Sequence, residues 1–218
     1  MASPFDQSAY QVRLGDGVDG LARLAPADVV VVVDVLRFSS TVADAVAAGT
    51  RIELSSALDW SRNGAAVAAA AGDALVLVGG IRNAAAVARA VQTVQERRQE
   101  RTSIAVIAAG EVDELGRSRI AVEDQLGAGA VIAALTDRGI DHTSPEAAFA
   151  AEGFRALRGA LRHLIAASGS GRELELGVAS TARMHAAGVI PTTTADAAVL
   201  DAIRAAPMLT DGVFVPFD

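Results

Sequence analysis

The chain contains no cysteine, which excludes disulfide bonds, thiolate metal sites and a cysteine nucleophile. Aromatic residues make up only 4% of it. Alanine and valine must then fill the interior, which calls for thin helices packed closely on a sheet. Basic residues are not in excess. Nineteen Lys and Arg face 26 Asp and Glu, for a net charge of -7. That disfavours a nucleic-acid binder, which needs clustered cations to neutralise phosphates. No apolar run reaches the length of a membrane span, and Met1 to Asp6 lacks a basic stretch followed by an apolar one. A cytoplasmic protein with no membrane contact is the expectation. The three histidines, His142, His163 and His185, lack metal-ligand spacing. There is no phosphate-binding G-x-x-x-x-G-K-[ST] loop and no G-x-S-x-G nucleophile elbow. Gly79-Gly80 is not a dinucleotide fingerprint, because no acid ends a second strand about twenty residues on.

What is present is a 51% hydrophobic chain of 218 residues with a mean hydropathy of +0.35. That composition can bury a sizeable core. One domain over 1–218 is expected. Val29 to Val33 are five consecutive valines, too few for a membrane helix and too uniformly apolar for a half-exposed strand. They predict a strand buried on both faces. A helix over Val42 to Ala48, capped by Gly49, is expected to follow. Further strands are predicted at Tyr10–Leu14, Arg51–Leu54, Leu75–Val78, Ser103–Ala108 and Gly212–Pro216. Helices are predicted at Asn83–Arg101, Arg119–Leu135, Pro145–Ile165 and Thr193–Ala205. Ser168-Gly169-Ser170-Gly171 reads as a short linker. Alternating strands and helices argue for a three-layer α/β/α sandwich around a largely parallel or mixed sheet.

In such folds ligands gather at the C-terminal ends of the strands. The first such end carries Asp34, Arg37, Ser39, Ser40 and Thr41. The second carries Gly79, Gly80, Arg82 and Asn83. The third carries Glu111, with Glu123 and Asp124 on the helix after it. Asn63-Gly64 opens another helix. These groups would supply carboxylates for a hard cation such as Mg²⁺, and an arginine with helix N-termini for an anion. Each also has a plainer reading. Asp34 suits a helix cap with Arg37 as its ion-pair partner, Asn83 suits a cap, and Glu111 suits a solvated loop. Glu123 and Asp124 are adjacent, so on a helix they are expected to point different ways.

Taken together, several blocks resemble the 2-phosphosulfolactate phosphatases, the ComB family. They are V-V-V-D-V-L-R-F-S-S-T-V at Val31–Val42, S-R-N-G at Ser61–Gly64 and R-N-A-A-A-V-A-R at Arg82–Arg89. A-A-G-E at Ala108–Glu111, V-E-D-Q-L-G-A-G-A at Val122–Ala130 and S-G-R-E-L at Ser170–Leu174 follow in the family's order. The resemblance implies a Mg²⁺-dependent phosphatase acting on a small anionic phosphate ester, a phosphorylated hydroxy acid such as 2-phosphosulfolactate. Under it, Asp34, Glu123 and Asp124 are the candidate metal and catalytic carboxylates, Asp34 with one of Glu123 or Asp124 holding the ion, and Arg37 is catalytic and phosphate-binding together with the Ser39 to Thr41 amides. Ser39, Ser40, Thr41, Asn63, Gly64, Asn83 and Glu111 complete the substrate site. Either a metal-bound water or Asp34 itself would attack phosphorus. The chain departs from the family between Ser55 and Arg62, where a longer segment with Gly-Glu-Arg and Asn-Ser-Pro stretches is usual. It departs again at Thr181-Ala182, where Asp-Val is usual. These departures support an alternative: a catalytically impaired ComB-like domain that binds a small anion or a protein partner. A homo-oligomer built through the alanine-rich helices is a further expectation.

Overall fold

The computed structural model describes residues 3–113 and 115–218. The first half holds β1 (Val12–Asp16), α1 (Gly17–Arg23), β2 (Val29–Val33), α2 (Phe38–Ala47), β3 (Ile52–Glu53), α3 (Leu54–Trp60) and α4 (Gly64–Ala69). Then come β4 (Leu75–Gly79), α5 (Ala84–Arg98), β5 (Ile104–Ala108), β6 (Glu111–Val112), β7 (Ser118–Arg119) and α6 (Val122–Thr136). The rest is α7 (Pro145–Leu157), α8 (Leu161–Ala167), α9 (Gly169–Leu176), α10 (Ala179–Ala186), α11 (Thr194–Ala197), β8 (Pro207–Thr210) and β9 (Val213–Pro216).

Seven strands form one mixed sheet in the order β1-β5-β2-β4-β8-β9-β3. The first four are parallel, and β8, β9 and β3 are joined by antiparallel pairings. The α/β architecture read from the sequence is thus the one observed. All five valines of β2 are buried, and they alternate between two cores as strand geometry requires. Val29, Val31 and Val33 pack with apolar residues of α5, α6 and α7, while Val30 and Val32 pack with those of α2, α3 and α4. Val33 pairs with Gly79 on one side and Ala108 on the other, so β2, β4 and β5 end level at one edge of the sheet. Among the described residues, no helix is long and apolar enough to cross a membrane.

Several elements differ from expectation. α2 starts at Phe38 rather than Val42, so Ser39, Ser40 and Thr41 lie inside its first turn. The Ser168–Gly171 stretch is no linker. Ser168 accepts a hydrogen bond from the Gly171 amide and caps α9. The long last helix shrinks to α11, and the chain turns back into β8, which had no clear sequence signal. The β6–β7 hairpin was likewise unforeseen. Ser144 caps α7 as expected, through the Ala147 amide.

Helix α6 crosses α7 closely enough that glycine is required at one position. A Cβ on Gly129 would run into the Ala150 carbonyl and lie 2.8 Å from the Phe154 Cβ. Gly129→Ala is therefore expected to lower stability by about 1–3 kcal/mol, read as a drop in melting temperature. Gly153, also helical, has open space around it. Gly153→Ala should be neutral or slightly stabilising through helix propensity alone.

Candidate active site

The level ends of β2 and β5 set the floor of a cavity of about 470 Å³. Asp34 leaves β2 and is buried. Its Oδ1 accepts from the Phe38 amide at 3.2 Å, its Oδ2 from the Gly64 amide at 3.0 Å, and its carbonyl from the Ser39 amide at 2.8 Å. Asp34 thus holds the first amide of α2, whose N-cap position is Arg37, and lines the cavity at once.

Asp124 holds the two strand exits together. Its Oδ1 accepts from the Val35 amide after β2 at 2.7 Å, and its Oδ2 from the Gly110 amide after β5 at 2.9 Å. Glu123 is 2% exposed and has no hydrogen-bond partner among the described residues. Neither of these adjacent side chains faces solvent. Both lie in the first turn of α6, which is embedded against the strand ends, so both are buried and both bear electrostatically on Asp34 or each other. Burial pushes the Asp34 carboxyl up to about 6, and the Glu123 charge adds to the rise. The Phe38 and Gly64 amides and the Arg37 charge oppose it. Asp124 is pushed well above the usual carboxylate range, first by burial and then by the charges of Asp34 and Glu123.

Arg37 precedes α2 and lines the same cavity. Its Nη2 donates to Thr181 Oγ1 at 2.7 Å and, more weakly, to Ser180 Oγ at 3.4 Å, both on α10. Trp60, Asn63 and Glu111 complete the near wall, and Glu173, Ser180 and Arg183 form the far one. Asn63 Oδ1 and Trp60 Nε1 are buried side-chain atoms without a hydrogen-bond partner among the described residues. Glu111 pairs with Arg119 across the β6–β7 hairpin. Gly64 contributes its amide to Asp34 rather than a surface to the cavity.

Other expected site residues lie elsewhere. Ser39 Oγ donates to the Val32 carbonyl at 3.0 Å, and Ser40 Oγ to the Val35 carbonyl at 2.8 Å. Thr41 Oγ1 accepts from the Thr192 amide. The Ser39 and Thr41 amides, expected to cradle an anion, donate instead to the carbonyls of Asp34 and Arg37. The early start of α2 is the reason: these amides are already in helical turns. Asn83 is 1% exposed, and its amide group donates to the Val78 and Ala205 carbonyls, away from the cavity wall. Arg82 forms an ion pair with Asp44, whose other oxygen accepts from Thr192. The far wall from α9 and α10 was not foreseen as part of the site, since nothing local in S-T-A-R signals contact with a residue 144 positions earlier.

A profile of the family described as 2-phosphosulpholactate phosphatase matches residues 60–187, more than half of the chain. The chain belongs to that family. Among curated proteins, none matches it. The matched stretch of this 2-phosphosulpholactate phosphatase family member includes Asn63, Glu111, Glu123, Asp124 and Thr181. Asp34 and Arg37 lie before it and join it through the hydrogen bonds to Gly64 and Thr181. Among the described residues, no three His, Asp or Glu side chains form a group able to hold a metal ion by themselves.

Proposed function

We propose that the protein is a Mg²⁺-dependent phosphatase that hydrolyses a small phosphorylated hydroxy acid of the 2-phosphosulfolactate type. The observation that carries this reading is the meeting, in one cavity, of an arginine bound only to neutral hydroxyls and the buried Asp34 carboxyl, with Glu123 and Asp124 buried behind the lining and near enough to bear on Asp34 or its charge. Arg37 supplies N–H donors for phosphate oxygens, in the fork geometry suited to oxyanions. Asp34 lines the same cavity, where its carboxylate is placed to take a proton from a water. In the proposed reaction a water attacks phosphorus and Asp34 takes its proton. The bond from phosphorus to that water forms as the ester bond to the hydroxy acid breaks. Water is favoured over Asp34 as the attacking group, because both Asp34 oxygens already accept backbone N–H bonds that dampen their nucleophilicity.

The donor set fits Mg²⁺ of the kind held by one or two carboxylates, with water and substrate oxygens completing the shell. Asp34 and the buried Glu123 would hold it, with Asn63 in the cavity wall offering a neutral oxygen. Such an ion would offset the crowding of negative charge among Asp34, Glu123 and Asp124. When bound, it supplies charge stabilisation to the phosphate oxygens in the transition state.

The test is phosphate release from a panel of phosphorylated hydroxy acids, with Mg²⁺ and with a chelator. Release is expected only with Mg²⁺, and Arg37→Ala should lower kcat/KM by about 10²-fold or more. Equal release by that variant would remove the phosphate site assigned here. The rival reading is a ComB-like domain that binds an anion without turnover. It is favoured by the occupied amides of Ser39 and Thr41. Phosphate-ester binding by calorimetry with no release would establish it.

A further inference from the structure

Five of the chain's nineteen arginines pair with a carboxylate side chain among the described residues: Arg82 with Asp44, Arg98 with Asp28, Arg117 with Asp113, Arg119 with Glu111 and Arg155 with Asp137. Arg37 is not one of them, and it lines the cavity. Among the described residues it has no carboxylate within ion-pair distance, although Asp34 is near enough to bear on it electrostatically. Its guanidinium is held through Nη2 alone, by the Thr181 hydroxyl at 2.7 Å and the Ser180 hydroxyl at 3.4 Å. The Nε and Nη1 hydrogens have no acceptor among the described residues. A neutral acceptor orients an arginine without cancelling its charge, whereas a carboxylate would do both. Thr181 itself is not part of the cavity wall, while Arg37 and Ser180 are. It acts from behind the group that faces the ligand.

We propose that Thr181 is a positioning residue: its hydroxyl fixes Arg37 against the cavity and leaves the full guanidinium charge for a phosphate dianion. This rests on the reading above, that Arg37 receives the phosphate. Pre-ordering matters here because a free arginine loses much rotamer freedom when it binds.

The experiment is titration calorimetry with inorganic phosphate, alongside steady-state kinetics, on the full chain. Thr181→Val keeps the shape and removes the hydroxyl. It should bind phosphate about tenfold more weakly and raise KM, with kcat nearly unchanged. Thr181→Ser should restore binding. In an Arg37→Ala background, Thr181→Val should have no further effect, which a merely structural loss would not obey. The inference is overturned if Thr181→Val binds phosphate like the unaltered chain while Arg37→Ala does not, or if the two losses add. If Arg37→Ala binds phosphate as well as the unaltered chain does, the phosphate reading of Arg37 falls and takes this inference with it.

Discussion

Asp34→Asn is expected to lower phosphate release by about 10³-fold, the scale of a lost general base, and to change how stability depends on pH. The second effect has a definite sign. In the folded chain the Asp34 carboxyl is pushed up to about 6 from an ordinary value of 3.8. Between those values the native state binds more protons than the unfolded chain, so the unfolding free energy falls as pH rises. The stability associated with this carboxyl is present at low pH and is lost as pH climbs through about 6. A shift of this size corresponds to about 3 kcal/mol for an isolated group. Asparagine does not titrate. It turns an N–H towards the Phe38 or Gly64 amide, a cost of about 1–3 kcal/mol that is the same at every pH. The melting temperature of the variant minus that of the unaltered chain should therefore be lowest near pH 4 and rise by several degrees towards pH 7. Removing the Asp34 charge also relieves Asp124, which adds to the rise. Carboxylates lowered by their own partners, such as Asp28 and Asp113, cancel in the difference. The measurement is calorimetry across that pH range with a chelator present, because a bound cation would itself favour the ionised form. A flat difference would show that Asp34 is not held in the crowded, desolvated setting described.

Gly64→Ala should damage the same site from the other side. Gly64 donates its amide to Asp34 Oδ2, and an added Cβ would lie 2.7 Å from that oxygen. It would also lie 2.5 Å from Phe38 Cδ1 and 2.8 Å from Phe38 Cγ. Neither neighbour can retreat at low cost. Phe38 is wedged between Trp60 and Phe214, with ring centroids 5.9 Å and 5.6 Å away. Asp34 is held by three amides. The expected loss is about 1–3 kcal/mol of stability from overpacking, and about 10²-fold in kcat from displacement of Asp34. Phe38→Leu, by opening space beside the new methyl, should recover part of both. Thermal melting and phosphate release read the two effects. Unchanged turnover in Gly64→Ala would mean that the position of Asp34 is immaterial to the chemistry.

The parallel half of the fold was legible because β2, β4 and β5 are uniformly apolar and are followed by Asp34, Gly80 and Ala109. Five valines buried on both faces leave no other reading, and Asp34 marks where they stop. The antiparallel half was harder. β8 and the β6–β7 hairpin are short, and their pairing depends on partners far away in sequence. Site residues divide along the same line. Asp34, Arg37, Asn63 and Glu111 line the cavity as expected of strand-end and turn residues. Asn83 also follows a strand end, yet its amide lies between two carbonyls, one of them in the chain's return to β8. Helical spacing set Glu123 and Asp124 apart on paper. In the fold, the helix start is enclosed by two strand exits, and both side chains are buried.

The alternation of the β2 valines has a use in spectroscopy. Odd-numbered Val29, Val31 and Val33 carry their methyl groups into one side of the sheet, and even-numbered Val30 and Val32 carry theirs into the other. A single five-residue segment thus holds separate probes of both helical layers, placed just before Asp34. Isotope-labelled valine methyls would report ligand-induced repacking of the α2–α4 side and of the α5–α7 side as distinct sets of signals. Whichever set moves when phosphate enters would tell which layer carries the response.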